Sequence, residues 1–325
     1  MEKETRRRSP ILSLLIIILL MILMLPISVY VVPLYERSDK TAVEGSEDWM
    51  KDLPDDRVIS EILLPGTHDS ATKNVQLPYF SKCQNLSIGE QLAAGFRYLD
   101  IRLALSEEGI KLVHGFMDCT ESFGPFAPTL MLPSVLLDCY EFLSAHPTEL
   151  IVFVAANQGN PEDTVKLQES LLAEMKTHPE MWLLTNHLPT VGEARGKIVL
   201  FRRYEDAAGL QTDAGLPLRW EEQNNRSPVT LHTEKTDQGL YTLYVQDRYK
   251  YNAEDKWLAF LAGQGNSRVS KDCISLNFLS TNGTAKFGHP YKFARNLNPR
   301  FLKLDQSGLW GWIIVDFASP KLAER

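Results

Sequence analysis

Two short runs in this chain each present a histidine at the end of an apolar stretch that is typical of a buried strand. The run 65–70 reads Pro-Gly-Thr-His-Asp-Ser, and the run 112–115 reads Leu-Val-His-Gly. Between them, Arg102 ends a third such stretch and adds a fixed cation. A phosphodiester in transfer needs a base for the attacking hydroxyl, an acid for the leaving oxygen and positive charge on the non-bridging oxygens. His68, His114 and Arg102 therefore predict a site for phosphoryl transfer.

The elements that must position these residues alternate between strand and helix. The predicted strands, several of them apolar on both faces as in a covered parallel sheet, are 58–64, 98–105, 110–113, 150–155, 197–201, 241–246, 273–278 and 311–315. Helical periodicity is clearest at 132–145, 161–176 and 255–262. This alternation over roughly 250 residues predicts a single α/β domain, a (β/α)8 barrel of the TIM type. Because some intervals are short or irregular, we expect a distorted barrel.

Polar side chains collect where chemistry is found in such barrels, at the C-terminal ends of the strands. They follow six different predicted strands: His68 with Asp69, Asp100 with Arg102, His114, Arg203, Asp247 with Tyr249, and Asp316. Random placement would scatter these residues, so the pattern predicts one shared site. The other histidines are interpreted as non-catalytic because no partner matches them: His146, His178, His187, His232 and His289.

Charge excludes one class of partner. The formal net charge is −7, and no dense basic patch follows the extreme N-terminus. Nucleic-acid binding depends on neutralising backbone phosphates, so we expect no nucleic-acid partner. We expect the chain to be a monomer.

The N-terminus carries a membrane or export signal. Residues 11–32 are apolar and uncharged, long enough for a bilayer core that needs about 20 residues, and three arginines precede them. The positive-inside rule then predicts a cytoplasmic terminus at 1–10, a transmembrane signal-anchor at 11–32, a solvated linker at 33–48 and an extracytoplasmic catalytic barrel at 49–325. The alternative is a secreted protein whose signal peptide is cleaved.

Four cysteines, Cys83, Cys119, Cys139 and Cys273, fit an exported domain and lack metal-ligand spacing. Cys83 and Cys119 are the better candidates for a disulfide, because both follow strand-end motifs.

Taken in order, the motifs resemble the catalytic X-domain of bacterial phosphatidylinositol-specific phospholipases C. The resemblance extends from about residue 49 to residue 319. It rests on 65–70, 100–102, 114–115, 195–200 leading to Arg203-Tyr204, 245–250 and 312–316.

The resemblance implies cleavage of phosphatidylinositol to diacylglycerol, with the inositol 2-hydroxyl attacking its own phosphate to give a 1,2-cyclic phosphate. His68 then corresponds to the general base and His114 to the general acid. Asp316 would orient His68, Asp69 would support His114, and Arg102 would hold the phosphate oxygens.

The resemblance also implies a binding site for the inositol ring. Arg203, Asp247 and Tyr249 correspond to head-group contacts. The metal-independent bacterial enzymes, which need no cofactor, have a lysine shortly after the fourth strand, where residues 155–158 here read Ala-Ala-Asn-Gln. A cation near the head group is therefore missing. Either Asn157 or Gln158 would replace the lysine's hydrogen bonds but not its charge.

The loop after His114 is longer than in the short bacterial forms and carries Phe116, Phe123 and Phe126. It is predicted to be either a packed lid over the barrel or a contact with the membrane.

Two other functions compete with this prediction. One is a metal-dependent phosphodiesterase of the glycerophosphodiester or sphingomyelinase D type, which needs several carboxylates around a divalent cation. Against it, Asp69 and Asp100 stand beside an arginine. The other is a non-catalytic inositol-lipid binder, against which the two intact histidines count.

Overall fold

The computed structural model describes residues 10–224, 234–266, 268–285 and 288–324. Most of the predicted cytoplasmic terminus at 1–10, with its arginines, lies outside the described residues, as does His232.

The strands of the described residues form one sheet, most of it parallel. They are β1 (Leu64–Thr67), β2 (Tyr98–Ser106), β3 (Gly109–His114), β4 (Met117–Asp118), β5 (Ile151–Asn157), β6 (Trp182–Leu183), β7 (Ile198–Arg202), β8 (Leu216–Pro217), β9 (Glu234–Asp237), β10 (Thr242–Gln246), β11 (Cys273–Phe278) and β12 (Trp312–Val315). The order across the sheet is β6-β7-β5-β2-β1-β12-β11-β10-β9, with β8 beside β7.

The sheet curls around one apolar core. Leu64 of β1, Phe201 of β7 and Leu243 of β10 are buried in the same cluster, although their strands are far apart in the sheet order. Within the described residues no strand ladder joins β8 to β9 or β10, and a hydrogen bond from the Tyr241 hydroxyl to the Pro217 carbonyl lies across that opening. The α/β prediction is confirmed, and the backbone ladder forms an open barrel.

Helices cover the outside of the curled sheet. The described helices are α1 (Pro10–Pro26), α2 (Pro78–Ser81), α3 (Ile88–Ala93), α4 (Leu132–Ala145), α5 (Thr164–Met175), α6 (Val191–Ala194), α7 (Ala253–Asn266), α8 (Pro290–Phe301) and α9 (Pro320–Ala323). Helices α4 and α5 bury one apolar cluster against the sheet. Helices α7 and α8 bury a second cluster elsewhere on its outer face. The predicted helix at 132–145 matches α4 at both ends.

The first predicted strand is misplaced. Residues 58–64 contain a 3₁₀ turn over Ile59–Glu61, and β1 begins only at Leu64. Val58, Ile59 and Ile62 are buried in the same apolar core as Leu64, so the run has the composition of a buried strand. Gly66 is needed within β1, because a Cβ there would lie 2.8 Å from the Cβ of Tyr98 on the neighbouring strand β2.

The third predicted strand is not part of the parallel barrel. β3 pairs antiparallel with β2, with Leu112 opposite Leu103. The hairpin forms because β2 continues beyond its parallel neighbours and turns back at 107–108. His114 therefore reaches the mouth of the barrel on a returning strand.

The apolar N-terminal segment is only partly α-helical. α1 has 17 residues and ends at Pro26, where a π-helical turn, Ile27–Val31, and a 3₁₀ turn, Val32–Tyr35, follow. Among the described residues, no helix combines the length and the apolar character that crossing a bilayer requires. The transmembrane helix predicted at 11–32 is therefore not found, because regular α-helix stops short of that length.

Residues 33–48, predicted to be a solvated linker, instead lie against the catalytic domain, and we call this segment the strap. Three of its charged side chains pair with the domain: Glu36 with His289 at 3.0 Å, Asp39 with Lys321 at 2.8 Å and Lys40 with Glu90 at 3.1 Å. Most residues of the strap are exposed, Asp39 and Lys40 among them, while Glu36 is buried against the domain.

All four cysteines are buried and free, so the predicted Cys83–Cys119 disulfide is not formed. Cys119 packs in the apolar cluster beneath α4, whereas Cys83 lies in the wall of the candidate site.

Candidate active site

β1 and β12 bring His68 and Asp316 together. The two strands pair in parallel with Thr67 opposite Val315, so the residue that follows each strand emerges at the same edge. The His68 amide donates to the Val315 carbonyl at 3.0 Å, and His68 Nδ1 lies 2.9 Å from Asp316 Oδ1. An acceptor at Nδ1 fixes the imidazole tautomer and leaves Nε2 toward the cleft.

Asp69 lies between the two histidines. Its Oδ2 is 3.3 Å from His68 Nε2 and 3.4 Å from His114 Nε2. Its backbone adopts φ of +42°, a left-handed conformation that is uncommon outside glycine and that aspartate tolerates better than most residues. Backbone strain of this kind is frequent at functional sites.

Arg102 extends from the middle of β2 into the same site. Its Nη2 lies 2.7 Å from Asp100 Oδ2 and its Nε 3.3 Å from Asp69 Oδ1. The guanidinium is thus held between two buried carboxylates, with the rest of its fork available to an anion.

His114 is oriented from two directions. Its Nδ1 donates to the Ser81 carbonyl of α2 at 2.6 Å, which leaves Nε2 directed toward Asp69. The next residue, Gly115, has φ of +60° and donates its amide to Gln158 Oε1 at 2.7 Å.

The charges of the site shift its pKa values in different directions. Burial favours the neutral form of His68, but the charges of Asp69 and Asp316 outweigh it and raise the pKa of His68 to about 9. Burial raises the pKa of Asp316. Burial acts the same way on Asp69, but the charges of His114, His68 and Arg102 prevail and hold the pKa of Asp69 well below its usual range. Asp69 differs from Asp316 because several cations surround it, and it stays ionised at neutral pH.

The predicted head-group residues line the opposite side of the cleft. Arg203 follows β7, and its guanidinium stacks 3.7 Å from the centre of the Trp220 ring. The Trp220 Nε1 donates to Asp247 Oδ2 at 3.1 Å, and the Tyr249 hydroxyl contacts Glu222 at 3.3 Å. A cation, a carboxylate and an aromatic ring therefore lie together, a set that suits a ring of hydroxyls.

One cleft of about 270 Å³ brings together every predicted catalytic and head-group residue. The residues predicted from sequence that line it are His68, Asp69, Arg102, His114, Arg203, Asp247, Tyr249 and Asp316. Asp100 is buried behind it and contacts Arg102.

Sequence reasoning missed two supporting residues, Trp220 and Gln84. The buried Gln84 Nε2 donates to the carbonyls of His68 and Val315 at 2.8 and 3.0 Å, and its Oε1 accepts from the Ala318 amide at 3.0 Å. It thereby holds together the two strand ends that carry His68 and Asp316. No motif signals either residue, because both lie in irregular segments and act only through tertiary contacts.

Asn157 and Gln158 are the two side chains that could replace the absent lysine, and the structure places them differently. Asn157 donates to Thr164 Oγ1 at 3.0 Å, outside the cleft. Gln158 lines the cleft and contacts Gly115, so of the two amides it is the one available to a ligand.

The site also has ligand types that a metal ion accepts. Within the described residues, three groups bring their ligand atoms close together: His68 with Cys83 and Asp316, Asp69 with Cys83 and His114, and His68 with Asp69 and Asp100. The guanidinium of Arg102 contacts Asp69 and Asp100, so it occupies the position that a hard divalent ion would need beside these carboxylates.

The chain is similar to known proteins in sequence and in structure. The family described as PI-PLC X 1 matches residues 55–209. A 1-phosphatidylinositol phosphodiesterase of Staphylococcus aureus (strain Newman) is 30% identical over 296 residues, covering 85% of this chain and 89% of that protein. A crystal structure of phosphatidylinositol-specific phospholipase C from Staphylococcus aureus is similar, with a TM-score of 0.70 and 26% identity over 85% of this chain and 92% of that one. The Listeria monocytogenes enzyme, at 19% identity, has the same fold, with a TM-score of 0.63 over 86% of this chain and 96% of that chain.

Proposed function

Since the chain belongs to the phosphatidylinositol-specific phospholipase C family, we propose that it cleaves phosphatidylinositol to diacylglycerol and inositol 1,2-cyclic phosphate. The observation that carries this proposal is the pair of imidazole Nε2 atoms directed at one cleft, 3.3 and 3.4 Å from a shared carboxylate oxygen and next to a fixed guanidinium. This set fits a phosphodiester that needs a base, an acid and a cation.

His68 acts as the base. Its Nε2 takes the proton of the inositol 2-hydroxyl as that oxygen attacks the phosphorus, while Asp316 holds Nδ1. Because nucleophile and phosphate belong to one molecule, much of the entropic cost of bringing them together is already met.

His114 acts as the acid. The bond between phosphorus and the glycerol oxygen breaks, and that oxygen takes the proton from His114 Nε2. The Ser81 carbonyl keeps a proton on Nδ1 and so leaves Nε2 as the donor. Asp69 stabilises the cationic form of this imidazole until the transfer.

Arg102 supplies the positive charge for the non-bridging oxygens. The carboxylates of Asp69 and Asp100 hold its guanidinium in place, so little reorganisation is needed as charge develops on the phosphate. Arg203, Asp247 and Tyr249 bind the inositol hydroxyls on the far side of the cleft.

We further propose that the domain works outside the cytoplasm and takes its substrate from a bilayer. Cations at 6–8 before the apolar run 11–32 favour an extracytoplasmic domain. In the segment that follows His114, Phe116 and Phe126 are 78% and 97% exposed, and aromatic rings favour the boundary between lipid and water.

The test is phosphorus NMR of the product released from phosphatidylinositol vesicles. We expect a cyclic diester signal that is absent with His68→Ala. A phosphomonoester as the first product would favour the metal-dependent phosphodiesterase. No product beside intact lipid binding would favour a non-catalytic binder.

A further inference from the structure

The strap contacts the catalytic domain beside α2, a short distance from the cleft. Within it, Glu36 is 4% exposed although it carries a carboxylate. Its Oε1 lies 3.0 Å from His289 Nε2. A buried charge is costly without a partner, so this ion pair constrains both residues.

His289 connects this pair to α2. Its Nδ1 donates to the Tyr79 carbonyl at 2.7 Å, and its ring stacks on the Tyr79 ring with centroids 4.0 Å apart and planes 13° apart. Although burial opposes it, hydrogen bonding to Glu36 and Tyr79 raises the pKa of His289 above its ordinary value. The imidazole therefore uses both nitrogens and one face to hold α2 to the strap.

α2 in turn orients His114. The helix comprises only Pro78–Ser81, too short to be stable without tertiary contacts. Two residues after Tyr79, the Ser81 carbonyl accepts the proton of His114 Nδ1 at 2.6 Å. The rotation of the imidazole thus depends on where α2 is held.

We propose that Glu36 and His289 are positioning residues for His114, acting through α2. Neither residue lines the cleft. The inference rests on the proposed function, because it assigns a purpose to the orientation of a general acid.

A positioning role differs from a merely structural one in its dependence on the leaving group. Two soluble substrates distinguish the positioning role from the structural one. The first is a short-chain phosphatidylinositol, whose alcohol must be protonated as it leaves. The second is an inositol p-nitrophenyl phosphate, whose phenolate leaves without a proton. Both rates are measured on one preparation, so their ratio does not depend on the fraction of folded protein.

Glu36→Gln removes the charge and keeps the shape. His289→Phe keeps the stacking and removes the ion pair with Glu36 and the hydrogen bond to the Tyr79 carbonyl. Misplacing a catalytic group by about 1 Å can cost about 10²-fold, so we expect each variant to lose about tenfold in kcat/KM toward the alcohol ester and little toward the nitrophenyl ester. Asp39→Asn, which breaks the strap's ion pair with Lys321, is the matched control and should leave the ratio unchanged.

Equal losses on both substrates, or no loss on either, in Glu36→Gln and His289→Phe would overturn the positioning role. His114→Ala is measured beside them and should change the ratio by about 10²–10⁴-fold. If His114→Ala affected both substrates equally, the acid role in the proposed function would be wrong instead.

Discussion

His68 and His114 share one carboxylate oxygen of Asp69, and each is held at Nδ1 by a different acceptor. We predict that His68→Ala and His114→Ala each lower kcat on phosphatidylinositol by about 10²–10⁴-fold, because the base and the acid are removed. Circular dichroism should show an unchanged fold, since both side chains line the cleft. Retention of more than about a tenth of the wild-type rate by either variant would contradict these roles.

The raised pKa of His68 gives the pH dependence a definite direction. A base must be neutral, so the rising limb of kcat/KM should have its midpoint near the pKa of about 9 and level only above that pH. Asp316→Asn removes one of the negative charges that raise this pKa, so the rising limb should move to lower pH while the maximum rate falls. The profile is measured from about pH 5 to about pH 10 on a soluble substrate. If the rising limb of the Asp316→Asn profile stays in place or moves to higher pH, the assignment of His68 as the base is wrong.

Arg102 makes metal independence a testable property. Its contacts with Asp69 and Asp100 occupy the carboxylates that a divalent ion with about six to eight oxygen ligands would need. Activity should survive excess EDTA. Arg102→Lys should lose about 10²-fold or more, because an ammonium cannot reproduce the planar fork. Loss of turnover on chelation, with recovery on adding calcium, would reject this prediction.

Among the elements, the loop between β3 and α4 has the clearest separate role. Phe116 and Phe126 project from it into solvent, while Phe123 packs edge-on against Tyr30 with ring centroids 6.1 Å apart. The exposed rings favour a membrane contact over a packed lid.

We therefore predict that the double variant Phe116→Ala, Phe126→Ala loses activity on vesicles and keeps its rate on a soluble short-chain substrate. Leu137→Ala, at an exposed apolar position on α4, is the matched control and should change neither rate. Equal losses on both substrates would mean that the loop serves the cleft itself.

At the scale of the whole molecule, Arg97 joins the strap to the catalytic domain. It is fully buried, pairs with Glu149 at 2.8 Å and donates to the carbonyls of Ser46 and Glu47. Arg97→Ala leaves the Glu149 carboxylate buried and unpaired, so we predict a loss of about 3–5 kcal/mol in the free energy of unfolding.

Chemical denaturation measures this loss. Lys321→Ala, which breaks an exposed strap pair, serves as the control and should leave the denaturation midpoint nearly unchanged. Equal midpoints for the Arg97 and Lys321 variants would mean that the strap is held by other contacts.

The sequence by itself determined the family and the α/β class, and it placed the polar residues at strand ends. These properties can be predicted because they depend on residues that are close together in the chain. A buried strand is an apolar run, and the residues that follow parallel strands emerge at one edge of the sheet. His68 and Asp316, far apart in the chain, were assigned to one site in this way.

Only the tertiary structure decided what depends on contacts between distant segments. The strap is predicted to be solvated because its sequence is rich in charge and does not show which residues pair with these charges. In the structure, Glu36 is buried against His289. β3 reads like a parallel strand because an apolar run does not record the direction of its neighbour. Gln84 and Trp220 belong to no motif, since their roles arise from hydrogen bonds and stacking that exist only once the chain has folded.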